Sequence, residues 1–292
     1  MGEKFLRIGP LLLCVFAVML SGCQVRISVG TNDTLTGETY PNAEKYQTGA
    51  FSYNAGDIKK VEVYWRSGEV EITESDISEL HVRESGGELP DDTAIHHFLD
   101  DGVLRIRFCK SGAKIAVDAA DKHLSLEVPP GTDLSVHATS ALVNADSLTQ
   151  NSILIATLSG STDLGTVTAD TVDLSSSSGS IHVDSISAQS FKCSAASGAV
   201  DIGAFSTQTL ECSTSSGGVT MDGITAETAK ITTSSGCVDL VLGNGGAEVL
   251  YTSSSGKLLT DRAYDRKGDL YVFGEGTSNI TVETASGNLR IQ

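Results

Sequence analysis

The residues able to do chemistry are few and dispersed. Six histidines, at positions 81, 96, 97, 123, 137 and 182, share no spacing with one another or with the cysteines, and no His-Glu-x-x-His occurs. His96 and His97 are adjacent, a weak metal-binding arrangement, because neighbouring side chains seldom converge on one ion without further ligands. Polar loop residues are the simpler reading. Cys193 and Cys212 stand 19 residues apart, and together they read either as a disulfide or as a pair of buried thiols. Cys109 and Cys237 have no histidine and carboxylate beside them in sequence to make a nucleophile. Asp163, Asp201 and Asp239, with Asp184, Asp222 and His182 among them, match neither an EF-hand nor the Gly-Gly-x-Gly-x-Asp calcium repeat. They read as a solvated acidic face. Arg262, Arg266 and Lys267 form the dense basic group of the C-terminal half, a candidate interaction loop. A carbohydrate-cleaving β-helix enzyme needs carboxylates converging on one groove, and no Gly-x-Ser-x-Gly elbow or phosphate-binding glycine loop is present. The expectation is no catalytic residue, no metal and no cofactor.

What positions these residues is a repeat. A short Ser-Gly-type phrase returns at Ala141, Gly160, Gly179, Gly198, Gly217, Gly236, Gly256 and Gly287; the first five intervals are 19 residues, the sixth 20 and the last 31. A fixed period of this kind marks stacked units. Two places after the anchor come Val143, Ile181, Val200, Val219, Val238, Leu258 and Leu289, with Thr162 as the exception. Four places after come Leu164, Val183, Ile202, Met221, Leu240 and Ile291. Ile155, Leu174, Cys193, Cys212 and Ile231 stand five places before it; Ile153, Val172, Phe191, Leu210 and Ala229 stand seven before. These columns share the period of strands with one face buried. The fold expected is an all-β solenoid, single-stranded and β-helix-like, with turns of about 19 residues stacked at the roughly 4.8 Å of strand pairing. Cys193 then lies over Cys212, within disulfide reach. The outward column Asp173, Lys192, Glu211, Lys230 alternates in charge. The chain order of the anchors is expected to be their stacking order, leaving 288–292 as an open edge with the excursion 262–276 folded over it.

Residues 51–135 carry further strand patterns, among them Val61-Glu62-Val63-Tyr64-Trp65 and Leu124 to Val128, and read as irregular strands capping the stack. Residues 23–50 lack apolar periodicity and read as a flexible tether. Residues 1–22 read as a signal peptide: Lys4 and Arg7 precede the apolar run Ile8 to Leu20, too short for the roughly 20 residues of a membrane span. The formal net charge of −17 argues against nucleic acid as a partner and favours cationic ones.

Two resemblances add to this. Leu20-Ser21-Gly22-Cys23 resembles the lipobox of bacterial lipoproteins, which implies cleavage before Cys23, lipid on its sulfur, and an extracytoplasmic protein held on a bacterial membrane. Lys60-Val61-Glu62-Val63, Ser67-Gly68-Glu69-Val70-Glu71-Ile72, Leu104-Arg105-Ile106, Leu124 to Pro129 and the serial Ser-Gly-x-Val/Ile units resemble the bacterial putative-adhesin family, a domain family of unknown function. That resemblance covers residues 51–292 and implies a β-solenoid shown at the cell envelope, with no catalytic residues. Ala141 at one anchor, and Cys193, Cys212 and Cys237 within the repeat, depart from the pattern. The leading expectation is therefore a non-enzymatic adhesion or interaction module whose partner is an envelope protein or a glycan. A sensor or sink for cationic antimicrobial peptides is the second, and a polysaccharide-acting enzyme the third.

Overall fold

The computed structural model describes residues 38–86, 89–114 and 122–292. The signal peptide, Cys23 and the first part of the expected tether lie outside them. The described chain is all β. Short strands come first: Gln47–Thr48 (β1), Phe51–Asn54 (β2), Lys60–Trp65 (β3), Glu69–Glu74 (β4), Glu79–Ser85 (β5), His96–Asp100 (β6), Val103–Arg107 (β7), His123–Val128 (β8) and Asp133–Ala138 (β9). Five long ones follow: Leu142–Thr157 (β10), Thr162–Ser176 (β11), Ile181–Ala195 (β12), Val200–Thr214 (β13) and Val219–Thr233 (β14). The chain closes with Val238–Leu242 (β15), Gly246–Ser253 (β16), Leu258–Thr260 (β17), Asp265–Lys267 (β18), Leu270–Gly274 (β19), Ser278–Thr284 (β20) and Leu289–Ile291 (β21).

β10 to β14 are one rung each, paired parallel with partners 19 residues apart: Val143 on Thr162, Thr162 on Ile181, Ile181 on Val200, Val200 on Val219. β-branched and small polar residues dominate them, which suits a pleated, half-buried surface. Each rung bends twice within its strand. The buried positions run two and four places after the anchor, then seven and, in all but one rung, nine places after, then seven, five and three before the next. The middle column, Leu148, Val167, Ile186, Phe205 and Ile224, is at most 3% exposed. The rung is thus three-sided. A bend reverses the parity of the buried set, so a column on the middle face falls out of phase with the other two.

The anchor glycine is required by close approach, since none of the repeat anchors has a positive φ. A Cβ on Gly179 would stand 1.9 Å from the Gly160 carbonyl oxygen, and one on Gly198 equally close to that of Gly179. A hydroxyl three places before the anchor ties the corner: Gly236 N–H donates to Thr233 Oγ1 at 2.9 Å, and Thr214 Oγ1–H donates to Gly217 O at 2.8 Å. Inside, the buried side chains form one continuous apolar core from Ile58 to Ile291.

At both ends chain order and stack order part. At the N-terminal end β3 lies between β7 and β9, and β4 between β8 and β10. Within the tether expected over residues 23–50, the described part is attached at two points: Tyr40 is buried, its hydroxyl donating to Cys109 O at 3.0 Å, and β1 pairs with β6, while most of residues 38–50 stay exposed. The apolar ring of Tyr40 finds a berth that a search for periodicity passes over. At the other end, β20 and β21 insert between the rung of β14 and β15 and the rung of β16 and β17. Spatially the last anchors therefore run Gly236, Gly287, Gly256. The expected open edge at 288–292 is accordingly a sandwiched strand. The hairpin of β18 and β19 covers β16 instead, antiparallel to it.

Candidate functional site

A groove of about 610 Å³ runs along the stack at the solenoid's second bend. It arises from three adjacent columns. The floor is Ala169, Ala188, Thr207 and Ala226, small residues that let the surface sink. One wall carries hydroxyls, Thr149, Thr168, Ser187, Ser206 and Thr225; the other carries Asn151, Asp170, Gln189, Gln208 and Glu227.

The ends of the groove are closed by polar contacts. At one, Gln150 is 4% exposed, its Oε1 accepting from Thr132 N–H at 2.7 Å and its Nε2 donating to Glu74 at 2.9 Å. At the other lie Thr277 and Ser278 of the inserted rung, where Ala226 N–H donates to Ser278 Oγ at 3.4 Å. Gln189 Nε2 donates to Asp170 Oδ1 at 2.7 Å, so these two wall side chains hold one another in place. The floor hydroxyl Thr207 Oγ1 is buried and has no protein partner.

These walls are outward columns that repeat in type, which sorting by inward positions alone does not reveal. The signal was present: a hydroxyl eight places and a carboxamide or carboxylate ten places after each anchor from Ala141 to Gly217. The groove offers donors and acceptors in a line. Asp170 and Glu227 are three rungs apart, about 14 Å at strand spacing, beyond the roughly 5–9.5 Å between the carboxyls of glycoside hydrolases.

The residues singled out by sequence lie elsewhere. Cys193 and Cys212 are in register on β12 and β13, 1% exposed, and both are free thiols. Hydrogen bonding to Cys212 and then burial push the Cys193 thiol up. The acidic face is partly paired: His182 lies 3.2 Å from Asp184 and 3.3 Å from Asp201, while Arg290 lies 3.5 Å from Asp239. His96 and His97 point to opposite sides of β6, as neighbours on a strand must. His96 Nε2 meets Thr48 Oγ1 at 3.2 Å, and His97 Nδ1 meets the Tyr53 hydroxyl at 3.0 Å. Among the described residues, no three His, Cys, Asp or Glu side chains gather as metal ligands.

The basic group does not converge either. Arg262 donates to Gln292 O at 3.1 Å, Arg266 donates to Gly268 O at 2.8 Å and lies over the Tyr271 ring, and Lys267 is exposed on β18. A shallow hollow of about 540 Å³ opens between Arg262, Arg290 and the strand ends.

Stacked parallel rungs with a core inside and an axial groove outside define the class as an all-β solenoid. The chain matches the Toastrack DUF4097 family over residues 58–292, and it belongs to that family. Two solved structures share the fold. One, a putative adhesin from Bacteroides fragilis, is 13% identical with a TM-score of 0.51, over 85% of this chain and 98% of that one. The other, a putative adhesin from Parabacteroides distasonis, is 15% identical with a TM-score of 0.51, over 84% of this chain and 97% of that one. Identities this low speak for the fold alone. No curated protein matches the chain.

Proposed function

We propose that this protein is a lipid-anchored, extracytoplasmic adhesion or interaction module without enzymatic activity, and that its axial groove holds an extended, uncharged glycan. The observation that carries this is the in-register pair of polar walls over a small-residue floor. Hydroxyls face carboxamides and carboxylates across successive rungs, and a linear chain of sugars presents hydroxyls in similar series. The carboxylate spacing argues against bond cleavage in the groove. The neighbours' description as adhesins, and the lipobox-like Leu20 to Cys23, support a place at the cell envelope. The test is calorimetric titration with a neutral linear glucan at low and high salt, beside mass spectrometry of the N-terminus purified from membranes. Salt-independent binding and a lipid-modified Cys23 are expected. Absence of any glucan binding, or an unmodified N-terminus in a cytosolic fraction, would refute the corresponding half.

The acidic balance of −17 favours a second reading, capture of cationic envelope-active peptides. Loss of residues 1–22 removes a net charge of +1 and deepens the balance to −18. Such binding would weaken steeply with salt, which separates it from the first.

A further inference from the structure

The inserted rung is the least expected feature of the fold. Its neighbours on either side, β14 with β15 and β16 with β17, both precede it in the chain. β16 is also secured on its far side by β19. The rung of residues 278–291 therefore occupies a slot bounded by two pieces of chain that are built without it.

The slot is specific. Gly287 is wedged in the anchor column: a Cβ on it would stand 1.9 Å from Gly236 O, and a Cβ on Gly256 would stand 1.9 Å from Gly287 O. Ile280, Val282, Leu289 and Ile291 fill the core there, none more than 2% exposed. Glu283 lies 3.2 Å from Lys230 across the lower border. The segment is entered through Gly274 and Gly276, with φ of 59° and 68°, flanking a single residue.

We propose that residues 278–292 are an exchangeable rung through which two copies of this chain join, each seating its segment in the other's slot. An identical segment meets an identical slot, so exchange creates no new kind of contact and costs little beyond opening the hinge. Short hinge loops favour this outcome. Two further observations point to a second copy. Among the described residues, the large apolar side chains left exposed are Leu250 and Leu259, both at 40%, and Tyr264 at 45%. Leu250 and Leu259 sit on the very rung that borders the slot. The outer edge of the neighbouring hairpin, β18, is Asp265-Arg266-Lys267, exposed and charged, which discourages simple edge-to-edge addition there. The exposed Leu259 lies on β17, whose one partner among the described residues is β21.

The test uses the full chain in detergent. Lys230 and Thr281 are register partners across the slot border. Lys230→Cys is placed in one preparation and Thr281→Cys in another, both in a Cys237→Ser background. A double variant carrying both new cysteines in one chain confirms that the pair can close. The mixed single variants, oxidised after incubation at high concentration, are expected to give a covalent dimer linked between 230 and 281 by peptide mapping. Neither single variant alone gives that linkage. In parallel, unsubstituted chains carrying two different tags are expected to co-purify after the same incubation. Closure within the double variant, with no 230–281 dimer from the mixture and no co-purification, overturns the proposal.

Discussion

Gly217 lies over Gly198 so closely that a Cβ on Gly217 would stand 1.9 Å from the Gly198 carbonyl oxygen. Its neighbour Gly218 has 3.7 Å of room to the nearest atom, Cys237 O. Adding one methyl group therefore has opposite outcomes at adjacent positions. Gly217→Ala must push two rungs apart against their hydrogen-bond ladder and is expected to cost about 3 kcal/mol, at the upper end of overpacking penalties. Gly218→Ala is expected to stay within about 0.5 kcal/mol. Urea midpoints of the two variants check this, and equal midpoints would show that the anchor column is not set by close approach.

The same column shows what could be read in advance. The period, the inward residues and the stacking of Cys193 on Cys212 are local facts repeated at fixed distance, so the sequence carries them openly. Leu148, Val167 and Phe205 escaped because a bend shifts their phase. The insertion of Gly287 between Gly236 and Gly256 escaped for a different reason: stacking needs a glycine at each anchor and is indifferent to which anchor follows which. The groove was hidden in outward columns, where similarity of type, hydroxyl or carboxamide, matters more than identity. Contacts between distant segments, such as Lys122 with Glu84, leave no periodic trace at all.

Lys122 is 1% exposed, and its ammonium meets the Glu84 carboxylate, donates to the carbonyls of Thr93 and Phe108, and lies 4.0 Å from the centre of the Phe108 ring. Burial pulls its pKa down and Glu84 opposes that. Lys122→Met leaves Glu84 charged and unpaired in the interior and is expected to cost about 3–5 kcal/mol. Adding Glu84→Gln should restore part of this, because the stranded charge disappears. A double-mutant cycle measures the coupling, and strict additivity would mean that the pair is not a unit.

His97 is stacked on Phe51 with ring centres 3.6 Å apart, and burial lowers its pKa from 6.5 to about 4. Between those values the unfolded chain binds a proton that the folded chain refuses. Stability is therefore full above about pH 6.5 and is lost as pH falls towards 4. His137, stacked on Tyr64 and also lowered by burial, acts in the same direction. The readout is thus a difference: between pH 7 and 4.5 the unsubstituted chain is expected to lose more thermal stability than His97→Gln. Parallel losses in the two would show that His97 is not held neutral.

The thiols should separate by access. Cys237 is exposed, Cys109 is half-buried with its pKa raised by burial, and Cys193 and Cys212 are enclosed. Alkylation of the native protein is expected to modify Cys237 first and Cys109 slowly. Cys193 and Cys212 should react only on unfolding, since a buried thiol offers neither thiolate nor approach. Peptide mapping with time checks the order, and early labelling of Cys193 would show that the rungs of β12 and β13 open on their own.

The groove makes a prediction that a purely structural role does not share. Thr207 Oγ1 is buried in the floor with no protein partner. Replacing Thr207 with Val keeps the shape and removes only the hydroxyl, so the unliganded protein should lose no stability and gain slightly, because an unsatisfied polar atom is gone. Enclosed from solvent, that oxygen is out of reach of a ligand in the groove, so Thr207→Val is expected to leave glycan affinity unchanged and serves as the control for the groove. Ala188→Leu complements it by raising the half-buried middle of the floor between Ser187 and Gln189. It should abolish glycan binding, and because Ala188 also packs against the apolar core the added atoms are expected to cost about 1–3 kcal/mol of stability as well. Calorimetric titration with the neutral glucan, beside urea unfolding of each variant, reads both quantities. Undiminished binding by Ala188→Leu would move the ligand site off the groove, since no extended chain can pass that rung once its floor is filled.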